Sequence, residues 1–231
     1  AFHQDSWSHK GRFYTIPADV DFRGYRPRDV TLVPRPVNRP VEIWQAIASG
    51  KSIPFMVQHG IKGMVTLNGE VITRQIFSAF REEAARVGRD LQPGEDLAWG
   101  AGLFLADSVA EAIDQVRPYH DERYKWFAPF GFVRYADEHG RPWGTPGAPI
   151  GVPTIEEGVR QKAWLVGPAS AVIAHLRQME SEYPGLEHVV LHWPEGMSAA
   201  NWSAQLRRFA AEVMPAFPGV QSTPTLVAPL A

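Results

Sequence analysis

The sequence contains no cysteine in its 231 residues. This absence excludes disulfide bonds, thiolate nucleophiles and cysteine-ligated metals. It also lacks a long apolar run, since none approaches the roughly 20 residues of a membrane-spanning helix. Neither sign of charge dominates, because 23 Lys and Arg stand against 25 Asp and Glu, and no basic run stands out. We therefore expect neither nucleic acid nor a membrane surface as the main partner.

Signals for targeting and for metal binding are equally scarce. The opening segment, AFHQDSWSHKGR, is polar rather than the apolar core of a secretory signal, so we expect a cytoplasmic protein. The eight histidines show no metal-ligand spacing. His188 and His192 are four residues apart, but on a strand this spacing separates them by about 13 Å. No metal site is predicted.

Proline and glycine, by contrast, are plentiful, at 20 each. The prolines cluster in residues 17–40 and 128–153, where aromatic and aliphatic residues lie between them. This mixture is typical of ordered irregular segments rather than of disordered linkers. Residues 1–40 are predicted to contain a tail, a short β-hairpin (RFYTIP and then a turn at 19–24) and an extended lead-in.

Four times, an apolar strand runs into a short turn and then into an amphipathic helix. The predicted strands are 41–47, 61–66, 97–105 and 187–192. Such alternation predicts parallel strands covered by helices. Four such units are half of an eightfold β/α barrel, so the predicted fold class is α/β, half of a TIM barrel with four parallel strands.

Helix boundaries are marked by caps and by apolar periodicity. The clearest helix is 69–88, which places four apolar residues on one face before Gly88: Ile72, Ile76, Phe80 and Ala84. Capping boxes at Ser108 and Thr154 predict helices from those residues, the first over 108–120. Pro168 is predicted to open a helix over 168–181, and Pro215 to end the last one. That last helix is predicted to bury one stripe: Trp202, Leu206, Phe209 and Val213.

Between the third and fourth units lies a long excursion, residues 121–162, rich in aromatic side chains. Compact domains rarely keep so long a connection without a use. It is either a structural flap packed over helices or an active-site lid that excludes water.

In β/α barrels the active site lies at the carboxyl ends of the strands. Four places follow from this rule: 48–52, 67–68, 106–108 and 192–194. The first contains Ser49, Gly50, Lys51 and Ser52, whose small residues and following helix would suit a phosphate. The string GKS is not a Walker motif, because Gln45 occupies the position of its first glycine. The alternative is a plain capped junction.

His192 and Trp193 follow the last predicted strand. A histidine there could act as a donor, an acid or a base near neutral pH, or could be a satisfied structural group. Trp193 is predicted to wall a pocket. No side chain supplies an obvious reagent, which favours a bound organic cofactor.

Four segments resemble the bacterial luciferase-like flavin monooxygenases. They are HKGRFYTIP, TLVPRPVNRPVEIWQAIASG, WLVGPASAVIAHL and LRRFAAEVMPAF, and together they run from about residue 8 to residue 217. The resemblance implies a TIM barrel that binds reduced FMN, or in sister branches a deazaflavin. It further implies activation of dioxygen, oxygenation of a small organic substrate, and a separate flavin reductase.

The resemblance also implies roles for particular residues. Ser49 and Gly50 match the turn that helps to hold the flavin phosphate, with Lys51 and Ser52 beside them. The excursion matches a mobile lid, in which Arg134 corresponds to an arginine of alkanesulfonate monooxygenases. Together with the position of His192 at a strand end, this predicts His192 and Arg134 as the catalytic residues. The predicted substrate pocket is aromatic: Trp193, Phe130, Phe132 and Trp126.

The sequence departs from sulfonate enzymes at Gly100 and Gly102, where those enzymes carry an arginine and a histidine. We expect the glycines to open space and to remove anion contacts, which favours a neutral substrate. Two alternatives stay open. One is a deazaflavin-dependent reductase or dehydrogenase of the same fold, and the other is a non-catalytic half-barrel subunit.

The first four strands of the family have no counterpart here. The whole chain, 1–231, is therefore predicted to be the C-terminal part of one barrel domain. Its predicted segments are a hairpin and lead-in (1–40), three βα units (41–120), the lid (121–162), the last unit (163–217) and a tail (218–231). The expected partners are the N-terminal half of the barrel, as a missing segment or a separate chain, and further copies in a homo-oligomer.

Overall fold

The computed structural model describes residues 1–38, 40–144 and 151–217. The predicted tail, 218–231, lies outside the described residues. The chain divides into two compact units, Ala1–Ile43 and Trp44–Ala231. Of the helices in the described ranges, none is both long and apolar enough to cross a bilayer.

The first unit is built around a short antiparallel hairpin. Strand β1 is His9–Lys10 and strand β2 is Thr15–Ile16. Its turn is closed by the Gly11 N–H, which donates to the Tyr14 carbonyl at 2.8 Å. The hairpin turn therefore lies before the predicted one. The chain does reverse again at Phe22–Tyr25, where Arg23 and Gly24 adopt left-handed backbone conformations.

The second unit contains a five-stranded parallel sheet. Its strands are β3 (Trp44–Ala46), β4 (Lys62–Thr66), β5 (Leu97–Leu105), β6 (Trp164–Gly167) and β7 (His188–His192). The four predicted strands are confirmed. Strand β6 was not predicted, because its four residues run directly into the next helix and leave too short a run for a periodic signal.

Strand β5 is the centre of this sheet. Its first four residues pair with β4 and its last four pair with β6. Strand β7 pairs with the five residues from Ala98 to Gly102. The Gly100 carbonyl accepts from Leu67 after β4, and the Gly102 N–H donates to Ala163 before β6. Backbone groups two residues apart on a strand point to the same edge. Strands β4 and β6 therefore pair with the same edge of β5, one after the other along it, and β7 pairs with the opposite edge.

In the residues that the structure describes, six α-helices accompany the strands: α1 (Ile53–Gln58), α2 (Glu70–Arg86), α3 (Val109–Phe127), α4 (Ile155–Arg160), α5 (Ala169–Glu182) and α6 (Ala199–Glu212). Both capping boxes are confirmed, since Ser108 and Thr154 each accept a backbone N–H at 3.2 Å. Helix α3 ends seven residues beyond its predicted end at 120, because the buried stripe continues to Tyr124. The excursion therefore begins as helix.

One layer of the hydrophobic core lies between one face of the sheet and the helices α1, α2 and α5, and buried residues of α3, α4 and α6 extend the same core. Trp99 of β5 faces this layer, with its ring centroid 5.4 Å from that of His175 on α5. The predicted stripe of α2 is confirmed, since all four of its residues are buried. The predicted stripe of α6 is buried only in part, because Leu206 is 39% exposed.

The opposite face of the sheet is concave. The rings of Trp44 on β3 and His188 on β7 lie 5.1 Å apart, although β4 and β5 separate their strands. In a flat sheet, three strand spacings would separate β3 from β7 by about 14 Å. The sheet therefore curls as the wall of a barrel does, and its inner face carries Trp44, Gly100 and His192.

Candidate active site

The strand ends of the parallel sheet bring the predicted site residues to one edge. Ser49–Ser52 follow β3, Asn68 follows β4, and His192 ends β7. Strand β5 lies between β4 and β7, so the ends of those two strands are roughly 10 Å apart. This is the edge where β/α barrels carry their active sites.

The predicted phosphate turn is open to solvent. Ser49 has an extended backbone, and Gly50–Ser52 form a 3₁₀ turn that leads into α1. Neither serine side chain caps the helix. A Cβ added at Gly50 would meet only Ile53, at 4.0 Å, so a ligand could approach this backbone closely. The backbone of this turn is therefore accessible to a ligand, and its role in holding a phosphate stays a prediction.

His192 lies half-buried on the concave face at the end of β7. Its Nε2 atom is buried and has no hydrogen-bond partner among the described residues. Burial, and then the positive charge of Arg123, lowers the pKa of His192 to about 4. The ring is therefore neutral near pH 7, and it can exchange a hydrogen bond with a ligand without carrying charge.

Asn68 is a second polar group at this edge. It is 3% exposed, and its Nδ2 has no partner within the described structure. The preceding Leu67 has a φ of +57°, which a leucine seldom adopts. Backbone strain and an unsatisfied buried amide together are typical of ligand-binding positions. The sequence pointed to Asn68 only through its place after a strand.

Arg123 was not predicted as a site residue. It projects from α3 and forms an ion pair with Glu195, in the loop after β7. Its guanidinium carbon lies 4.7 Å from the centre of the Phe127 ring. Because the predicted helix stopped at 120, no local pattern indicated that this arginine would approach the loop after β7.

Arg134 lies beside the end of β4. It forms a β-bridge with Asn68, and its carbonyl accepts from the Gly69 N–H at 2.7 Å. The guanidinium donates to the Gly131 carbonyl at 2.7 Å and lies 5.8 Å from the centre of the Phe132 ring. The structure thus places Arg134 at the same edge as Asn68.

The predicted aromatic pocket is not closed. Trp193, Phe132, Phe130 and Trp126 are 50%, 51%, 74% and 63% exposed. Trp126 belongs to α3, where its Nε1 donates to Glu122 at 2.9 Å. The Nε1 of Trp193 donates to the Met197 carbonyl at 2.9 Å. Their roles in binding a substrate stay predictions.

The expectation that Gly100 and Gly102 open space is wrong. A Cβ at Gly102 would lie 2.3 Å from the ring of Trp164, and one at Gly100 would lie 2.8 Å from Thr66 and Val190. Trp164 is 1% exposed and contacts His120 of α3. The glycines therefore allow close packing on the concave face and leave no cavity.

Gln161 anchors the excursion, 121–162, near its C-terminal end. This residue is 8% exposed, and its side-chain amide makes two hydrogen bonds of 2.9 Å with the backbone of Ala136. Its own carbonyl accepts from the Glu70 N–H at 2.8 Å. The excursion is thus joined to the start of α2 at Arg134 and at Gln161. Within the described ranges, no group of histidines and carboxylates could hold a metal ion.

Comparison with known proteins identifies one matching family and several similar solved structures. The sequence model of the luciferase-like monooxygenases matches residues 2–184. Among solved structures, the chain is similar to monooxygenase RslO1 from Streptomyces bottropensis, with 18% identity, a TM-score of 0.63, and coverage of 93% of this chain and 56% of that one. A comparison with curated proteins finds no match.

Two further structures are similar. One is the oxygenating constituent of 3,6-diketocamphane monooxygenase from Pseudomonas putida, in complex with FMN, with 18% identity, a TM-score of 0.62, and coverage of 91% and 58%. The other is an F420-dependent secondary alcohol dehydrogenase, with 14% identity, a TM-score of 0.52, and coverage of 93% and 57%. The chain thus spans a little over half the length of these proteins. The matches and the curled sheet confirm the predicted fold class, a part of a TIM barrel.

Proposed function

Because the chain belongs to the luciferase-like monooxygenase family, we propose that it is part of a flavin-dependent monooxygenase that oxygenates a neutral organic substrate with reduced FMN and dioxygen. One observation carries the proposal: at the carboxyl end of a curled parallel sheet, Asn68 Nδ2 and His192 Nε2 are buried without a hydrogen-bond partner among the described residues. Buried polar groups of this kind are normally satisfied, so a ligand is the natural partner here.

The turn formed by Ser49, Gly50, Lys51 and Ser52 would hold the flavin phosphate. Its backbone is accessible, and Lys51 adds a cation. Bound reduced flavin would supply the electrons that activate dioxygen. The protein's own contribution is to bind, to orient and to exclude water.

His192 and Asn68 would orient the reactants. The neutral ring of His192 can donate or accept one hydrogen bond, and the Asn68 amide can donate one. Arg134 and the aromatic residues Phe130 and Phe132 would cover the site once a ligand is bound, although both phenylalanines are exposed here. Their large apolar surfaces support a neutral substrate.

The partner of this chain would be the remaining half of the barrel. A complete barrel of this type has eight strands, and β3, β4, β5 and β7 supply four. In the described part of the chain, β7 pairs only with β5, and an open strand edge readily accepts another strand. A flavin reductase as electron source and a homo-oligomeric assembly complete the proposal.

The phosphate assignment can be tested by titrating FMN into the protein assembled with its N-terminal half and following flavin fluorescence. The double variant Lys51→Ala, Ser52→Ala should bind FMN about tenfold more weakly, which is ~1.4 kcal/mol. The control is Lys125→Ala, because Lys125 is an exposed lysine of α3 paired with Glu122. Equal affinities in both variants would remove the assignment.

A second candidate function is that of a deazaflavin-dependent reductase or dehydrogenase. The similarity to the F420-dependent alcohol dehydrogenase favours it. The cofactor's absorption spectrum and the consumption of oxygen, measured with reduced flavin and substrate, distinguish the two. If the assembled protein places no flavin against the loops of this chain, it is instead a non-catalytic half-barrel subunit.

A further inference from the structure

A shielded ion pair joins α3 to the loop that follows β7. The Arg123 guanidinium donates from Nη1 to the Glu195 carboxylate. The Arg123 side chain is 17% exposed and that of Glu195 is 34% exposed, so water screens this pair less than it screens a surface pair. Glu195 lies three residues after His192. The ion pair therefore fixes the loop directly beyond that histidine.

The guanidinium is held by more than this carboxylate. It lies 4.7 Å from the centre of the Phe127 ring and 5.9 Å from that of Tyr124. The Tyr124 hydroxyl lies 3.1 Å from that of Tyr135, which belongs to the excursion between α3 and α4. Arg123 thus stands where α3, the excursion and the β7 loop meet. A planar cation clamped by rings and a carboxylate has little freedom to move.

We propose that Arg123 is a positioning residue of the candidate site, which acts through Glu195 and the β7 loop to hold the free nitrogen of His192 toward an uncharged carbonyl or hydroxyl oxygen of the ligand. The nature of the ligand rests on the proposed function above. The positioning of His192 does not depend on it.

The local charges agree with an uncharged ligand group. The positive charge of Arg123 is offset by Glu195, and burial together with Arg123 lowers the pKa of His192 to about 4. These three residues therefore carry no net charge near pH 7. A carboxylate or sulfonate would find no unpaired cation among them, whereas an oxygen acceptor or hydroxyl could bond to the neutral ring.

The test is an NMR titration of the His192 imidazole in the full chain, with its signals assigned by comparison with His192→Gln. Replacing Arg123 by Met should raise the pKa of His192 from about 4 toward its ordinary value of 6.5, and Arg123→Lys should keep it low. Glu195→Gln breaks the ion pair and leaves the cation, so it should also raise that pKa, because the freed loop exposes the ring to water. The matched control is Arg117→Met. Arg117 lies on α3, as Arg123 does, and forms an ion pair with Glu156 of α4.

A cation that acts on His192 by its charge alone predicts something else. In that case Arg123→Met would raise the pKa of His192, whereas Glu195→Gln, which keeps the cation, would not. Such a result, or an unchanged pKa in a folded Arg123→Met variant, would overturn the proposal. If Arg123→Met does not fold, a raised pKa in Glu195→Gln still supports it, and an unraised one overturns it. The titration needs no flavin, so a failure of FMN binding would refute only the proposed function.

Discussion

Gln161 offers the most direct test of how the excursion between α3 and α4 is anchored. Its side-chain oxygen accepts from the Ala136 N–H, and its side-chain nitrogen donates to the Ala136 carbonyl, both at 2.9 Å. Ala136 is 3% exposed, so water cannot replace these bonds freely. Gln161→Leu keeps a similar volume and removes both partners.

The cost of this change follows from the groups left unpaired. A buried backbone group without a hydrogen bond costs about 1–3 kcal/mol. Two such groups at Ala136 give a loss of about 2–6 kcal/mol in the free energy of unfolding. A domain of this size is stable by about 5–15 kcal/mol, so the loss is a large fraction of the total. The melting temperature should fall by about 2–4 °C for each kcal/mol.

Urea denaturation, followed by circular dichroism, measures the change. The control is Gln178→Leu, since Gln178 is an exposed glutamine of α5 whose side chain donates to Glu182 at 2.8 Å. Surface substitutions of this kind usually change stability by less than about 0.5 kcal/mol. If Gln161→Leu loses no more than the control, the Ala136 bonds do not hold the excursion and the reasoning fails.

Three further predictions concern the concave face and the core. Gly102→Ala should destabilise by about 1–3 kcal/mol in urea melts, because its Cβ would overlap the Trp164 ring, whereas Gly151→Ala, with no atom within 4 Å, should be tolerated. Asn68→Leu should leave the free energy of unfolding within about 1 kcal/mol of that of the parent protein, or raise it, and should weaken FMN binding. A large loss of stability would show that the Asn68 amide has a hydrogen-bond partner within the protein. Burial lowers the pKa of His175 to about 4. The unfolded chain then binds more protons than the folded chain between pH 6.5 and 4, so the free energy of unfolding should fall by up to ~3 kcal/mol as the pH falls through this window. The fall should be smaller in His175→Leu. Parallel curves of unfolding free energy against pH for the parent and the variant would refute this.

Local patterns along the chain were enough to predict the strands and helices other than β6. Residues 97–105 form an unbroken apolar run that becomes a strand with the same bounds, because every one of its nine residues is buried. The stripe of α2 and the two capping boxes are local signals, and each acts within one or two turns of the chain. The family could likewise be inferred from short motifs, since these lie within single βα units.

The side chains that meet at the site could be identified only from the folded chain. The close packing at Gly102 depends on Trp164, which lies 62 positions later in the sequence on a strand too short to predict. The approach of Arg123 to Glu195 depends on the length of α3 and on the place of β7 beside β5. Contacts between distant segments follow from register and helix length, and no local pattern records them. The charge state of His192 depends in turn on its burial, which is a property of the assembled fold and not of the residue.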